Sequence, residues 1–221
     1  MRTDLWRACA QQYLAPHLPG SWTVSGSLLH HSQNEWIICA LYVSQYSKAN
    51  WFTVERLVQL LPIPATQLEG PFFHTLTNGP ENEPLVVPEN VELAAPVMTR
   101  VLNIVQAEAM PYFKSIATID GYLTEIWERS HSAPANFYHL EKICYILLLK
   151  DDVTGAREAF LRAVNSPATN RWPEAANKLK KRMSRVMSLA ESSPDLAKVL
   201  LREWSSESWR NISGGTLKPP D

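Results

Sequence analysis

The chain has 221 residues, 45% of them hydrophobic, which is enough to bury a core and argues against disorder across its bulk. With 21 basic and 22 acidic residues its formal charge is −1, so no overall field draws a nucleic acid or an anionic surface, and any electrostatic function is local. Three cysteines, Cys9, Cys39 and Cys144, lie far apart in apolar stretches, an arrangement that argues against a disulfide framework or a zinc site.

The cysteine pattern predicts a reducing, cytoplasmic compartment. No apolar stretch approaches the ~20 residues a spanning helix needs, and Arg2, Asp4 and Arg7 interrupt any leader, so no membrane association is expected. Charge is unevenly spread. Residues 1–95 hold four basic side chains against eight acidic ones, leaving the remainder mildly basic.

In chain order, Thr3 is a suitable N-cap, and Leu5, Trp6, Cys9 and Tyr13 predict a helix ending before Pro16. The alternation of Trp22, Val24, Gly26 and Leu28 predicts a half-buried strand, with Gln33 and Asn34 as turn residues. Trp36 to Val43, a continuous apolar run rich in β-branched and aromatic side chains, suits a strand covered on both faces and pairs with it as an antiparallel hairpin. Trp51 to Val54 is a further strand. Glu55 to Leu61 fits helix and strand templates equally.

Six prolines between Pro62 and Pro88 forbid a long element there, leaving short extended pieces at Phe72–Leu76 and Leu85–Val87 and a mobile loop at Thr77–Glu83. From Pro96 the period changes to that of helices. The pattern predicts helices over 96–109, stopping at Pro111, then from Thr118 or Asp120 through Trp127, from Pro134 to Leu149, from Thr154 to Val164, from Pro173 to Ser192 and from Leu196 to Trp209. Residues 214–221 form a glycine- and proline-containing tail. The fold class is therefore α+β: a small antiparallel sheet in the N-terminal third (1–95), then a bundle of about six helices (96–213).

Two surfaces are singled out for binding. Lys178, Lys181, Arg182 and Arg185 fall at i, i+3, i+4 and i+7 on one helix face, a geometry that can track phosphates, with Trp172 nearby as a stacking ring. The bland explanation is a solvated face of a bundle helix. Trp204 and Trp209, among serines near the C-terminus, are anchors for a protein partner or packing residues of the bundle. His30, His31, His74, His131 and His139 show no ligand spacing, no nucleophile or phosphate-loop motif occurs, and Glu125 and Glu128 with Arg129 read as a solvated face. No catalytic residue, metal or cofactor is expected.

The segment KDDVTGAREAFLRAV, with Ala156, Phe160 and Ala163 at small, large, small spacing, resembles the second helix of a tetratricopeptide repeat. The helix before it lacks the glycine and tyrosine of that family, and an ordinary helical hairpin produces the same pattern. The strand hairpin, the FTV strand, the proline-broken stretch and PYFKSIAT leading into a helix together resemble a group of uncharacterised bacterial proteins, over residues 20–165. That resemblance implies an immunity or accessory protein beside a toxin or phage-defence system. The expected function is a non-enzymatic protein that binds another protein. The alternative is a nucleic-acid-associated accessory subunit using the basic helix.

Overall fold

The first strand run folds back on itself. Gly26 takes φ +59°, a value side-chain-bearing residues resist, and a two-residue turn there splits the predicted strand into β1 (Thr23–Ser25) and β2 (Leu28–Ser32). Ser25 pairs with Leu28 across the turn. Asn34 builds the next connection, its Oδ1 accepting from the backbone of Trp36 at 2.9 Å and of Ile37 at 3.0 Å. Strand β3 (Ile37–Gln45) then runs antiparallel to β2, with Leu28 opposite Tyr42 and Ser32 opposite Ile38. Its residues Ile37 to Leu41 are all buried, as a strand covered on both faces requires.

The structure is a computed structural model that describes residues 1–32, 34–45, 50–65, 72, 74–76, 84–132 and 137–212. The predicted loop at Thr77–Glu83 and the tail at 214–221 lie outside the described residues. The segment Glu55–Leu61, ambiguous by pattern, continues the FTV strand: β4 covers Trp51–Leu60. It lies beside β3, where the hydroxyls of Ser44 and Thr53 are hydrogen-bonded at 2.7 Å, and carries on its other partners β5 (His74–Thr75) and β6 (Leu85–Val86).

The structure also corrects how two prolines act. Helix α1 (Thr3–Cys9) begins one residue earlier than predicted, with Arg2 at its cap, and does not stop before Pro16. It widens into a π-helical turn (Ala10–Leu14) and then tightens into a 3₁₀ turn (Ala15–His17). Likewise α2 (Ala95–Ile104) passes Pro111 by way of a π-helical turn (Val105–Ala109) and continues as α3 (Met110–Ile116). Proline lacks the donor for the i−4 carbonyl and crowds it; a π turn and a fresh helical start at Met110 take up that misfit.

The chain divides into two compact units. The first takes in Met1–Gln59 and Leu68–Ala117, so helices α2 and α3 belong with the sheet. The second comprises Leu60–Gln67 and Thr118–Ile212. It contains α4 (Ile119–Ser132), α5 (Phe137–Leu149), α6 (Val153–Val164), α7 (Pro173–Ser192) and α8 (Pro194–Ile212). The Thr118 hydroxyl accepts from Gly121 N at 3.0 Å at the start of α4, and Asp152 caps α6 by accepting from Gly155 N at 2.8 Å.

Helix α5 is the centre of this unit: Phe137, Leu140, Ile143, Cys144, Tyr145, Ile146 and Leu148 are buried, around most of its circumference. Against it pack α4, α6, α7 and α8. Ala156, Ala159 and Ala163 form the inward stripe of α6, small residues that let the two helix axes approach, while Phe160 is half-buried.

Candidate nucleic-acid interface

Antiparallel packing of consecutive helices brings the end of α4, the start of α5, the end of α6 and the start of α7 to one end of the helical unit. Aromatic rings collect there. Phe137 is fully buried, and Tyr138 and Trp172 lie around it with ring centroids 4.3 and 6.5 Å away. Those two rings remain 42% and 49% exposed, which for large apolar side chains leaves stacking faces in water. The Arg171 guanidinium sits over the Trp172 ring at 4.8 Å.

Burial, with the charges of Lys142 and Arg129 adding to it, holds the His139 imidazole down at about 4. Other cations of the unit are engaged: Arg129 with Glu125, Lys150 with Asp120, Arg157 with Glu191, Lys198 with Asp151. Among the described residues, Arg162, Lys178, Lys180, Lys181 and Arg185 make no ion pair or hydrogen bond, and Arg171 makes only its ring contact. All six fall within one stretch, from late α6 to the middle of α7. Glu174, in the first turn of α7, lies one turn before Lys178 on the same exposed face, and Glu158 one turn before Arg162 on α6.

A cleft of about 340 Å³ lies between α6 and α7. Ala163, Ala176 and Leu179 give it an apolar floor, while Asn170, Asn177 and Lys180 supply polar groups at its edge. It adjoins Trp172 through Pro173, which opens α7.

The residues picked out by sequence fare differently. Lys178, Lys181 and Arg185 are exposed on one face of α7, as their spacing predicts. Arg182 is not available to a ligand. Its Nε and Nη2 donate to Glu141 Oε1 and Oε2, both at 2.8 Å, and Glu141 is only 1% exposed. Burial opposes the charge on Arg182, but the hydrogen bond and charge of Glu141 outweigh it and hold the guanidinium firmly protonated. Trp204 and Trp209 are buried, Trp204 with its ring 6.1 Å from that of Tyr145; they pack in the helical unit rather than standing out as anchors.

Sequence reasoning missed Tyr138, Arg162 and Arg171. Their signal is topological: Tyr138 shares a helix end with Trp172 only once α5 and α7 are known to be neighbours.

The buried Cys39 thiol is pushed up to about 12, and burial and Glu141 raise Cys144 as well, so neither supplies a thiolate near neutral pH. Among the described residues no group of His, Cys, Asp or Glu converges to hold a metal ion, and no helix is long and apolar enough to cross a membrane. No protein-family model, curated protein or solved structure matches the chain.

Proposed function

We propose that the protein is a non-enzymatic, nucleic-acid-associated accessory subunit whose helical unit binds single strands. One observation carries the reading: among the described residues of the helical unit, the cations that make no ion pair or hydrogen bond lie in the stretch that also exposes Trp172, which shares the Phe137 ring with Tyr138. Unpaired cations release phosphate counterions without first breaking an ion pair. Half-exposed rings stack on bases of any sequence, each contact contributing about 1–3 kcal/mol.

Binding of a fluorescent oligonucleotide across a salt series tests this reading. Lys178→Ala, Lys181→Ala and Arg185→Ala together lower the slope of log K against log salt by about 2, at ~0.7 per phosphate contact on a single strand. Trp172→Ala weakens binding about tenfold with the slope unchanged. A strand that fails to bind at low salt, or a triple variant with the parent's slope, removes the proposal.

A protein partner is the second reading, favoured by a different face. Helix α8 leaves Leu196 and Val199 half-exposed one turn apart, an apolar pair suited to another protein's surface. The sheet offers little for such a role, because its edge strands β1, β5 and β6 are only two or three residues long. If a partner docks on α8, Leu196→Ser with Val199→Ser releases it in gentle co-purification and leaves oligonucleotide affinity unaltered. A complex that survives both changes rules out this face.

A further inference from the structure

We infer that the cleft between α6 and α7 is a seat for a phosphate monoester, and that on a single strand it holds the terminal phosphate while Trp172 stacks on the adjoining base. The inference rests on the strand-binding reading for its ligand, but on separate observations for its place.

The volume, about 340 Å³, is at the lower end of the ~300–1,000 Å³ of small-ligand sites, too small for a length of polymer and adequate for one terminal group. The cleft is bounded by the end of α6, by the 3₁₀ turn Pro167–Asn170 and by the opening of α7, so the connection between the helices crosses one side of it. Among the described residues the Lys180 ammonium and the side-chain amides of Asn170 and Asn177 have no partner within the protein. Together they offer one full positive charge and two amide donors to a group with three acceptor oxygens. The Thr169 hydroxyl, also in the lining, already donates to Ser166 O at 2.7 Å and therefore presents only its acceptor side. Lys180 lies off the face formed by Lys178, Lys181 and Arg185, about 100° around the helix per residue, which separates a seat in the cleft from a track along α7.

One oligonucleotide sequence with a 5′-phosphate, a 3′-phosphate or hydroxyls at both ends tests the inference by anisotropy, with a nucleoside monophosphate as the free-ligand arm. One phosphorylated end is expected to bind about tenfold tighter than the hydroxyl strand. Lys180→Ala abolishes that gain while retaining hydroxyl-strand affinity, and Lys178→Ala lowers the affinity of all strands but retains the gain. Equal affinity for all three strands overturns the inference and leaves the strand-binding reading standing. If no strand binds but the monophosphate shifts the amide resonances of Asn177 and Lys180, the seat is real and the strand reading fails. Absence of both effects overturns the two together.

Discussion

Replacing Glu141 with alanine is expected to destabilise the helical unit by about 3–5 kcal/mol in chemical denaturation followed by circular dichroism. The carboxylate is 1% exposed in the middle of α5, the most enclosed helix of the unit. It accepts two parallel bonds from Arg182 and a third, 2.9 Å, from the Tyr145 hydroxyl. Deleting it strands a guanidinium and a phenol in a site with little access to water. Arg182→Ala should cost a similar amount, now leaving the buried carboxylate unpaired.

The two losses are not additive, since both report on one pair. Glu141→Leu with Arg182→Met should recover most of the stability, because an apolar pair removes the desolvation cost along with the attraction. A loss below about 1 kcal/mol for Glu141→Ala would mean that water reaches the site freely. A practical corollary concerns binding assays: Arg182 lies next to Lys181, but its removal weakens any ligand by loosening the unit, so it is unfit as a probe of phosphate contacts.

The second large effect is acid sensitivity in the sheet unit. His30, on β2 opposite Ala40 of β3, is 1% exposed, and burial, with a smaller contribution from His31, pulls its imidazole down to about 4. The folded value lies below the ~6.5 of an unfolded histidine, so the unfolded chain takes up a proton first as pH falls. Stability from this group is whole above pH 6.5, declines between 6.5 and about 4, and is level below that. The full loss is about 3 kcal/mol, from a difference of ~2.5 units at 1.36 kcal/mol each. His30→Leu, close in volume and unable to titrate, should flatten that part of the stability profile. An identical profile for the variant would show that His30 protonates without resistance in the folded sheet.

Periodicity made the architecture legible, because the alternation over residues 22–28, the apolar run over 36–43 and the helical spacing after Pro96 are written in single side chains. The α+β class and the placement of α4 to α8 follow from it. Local pattern failed where the decision belonged to distant residues. Glu55–Leu60 is a strand because β3 flanks β4 on one side and β5 pairs with Glu55 and Arg56 on the other, information absent from its own apolar spacing. Pro111 sits inside a continuing helical path because a π turn absorbs it, and no propensity encodes that.

Glu141 was readable in principle. In FYHLEKICYILLL, Glu141 and Lys142 are the charges in an otherwise apolar helix, and a carboxylate so placed requires a partner. Which cation it takes, 41 residues away on α7, depends on helix packing. The candidate site was half legible: the spacing of Lys178, Lys181 and Arg185 located the exposed face, while burial of Trp204 and Trp209 depended on how α8 packs within the helical unit.

One feature of the connectivity governs how the molecule can be cut and made. Residues just after β4 belong to the helical unit, where Ser208 Oγ donates to Ile63 O at 3.0 Å and receives from Ala65 N at 3.1 Å, and Asn211 Nδ2 donates to Ala65 O at 3.0 Å. Those bonds join segments about 145 positions apart. During synthesis the early segment must wait, without these bonds, until the end of α8 has left the ribosome. Neither unit is therefore one uninterrupted stretch, and a fragment beginning at Thr118 would emerge lacking a piece of its own wall.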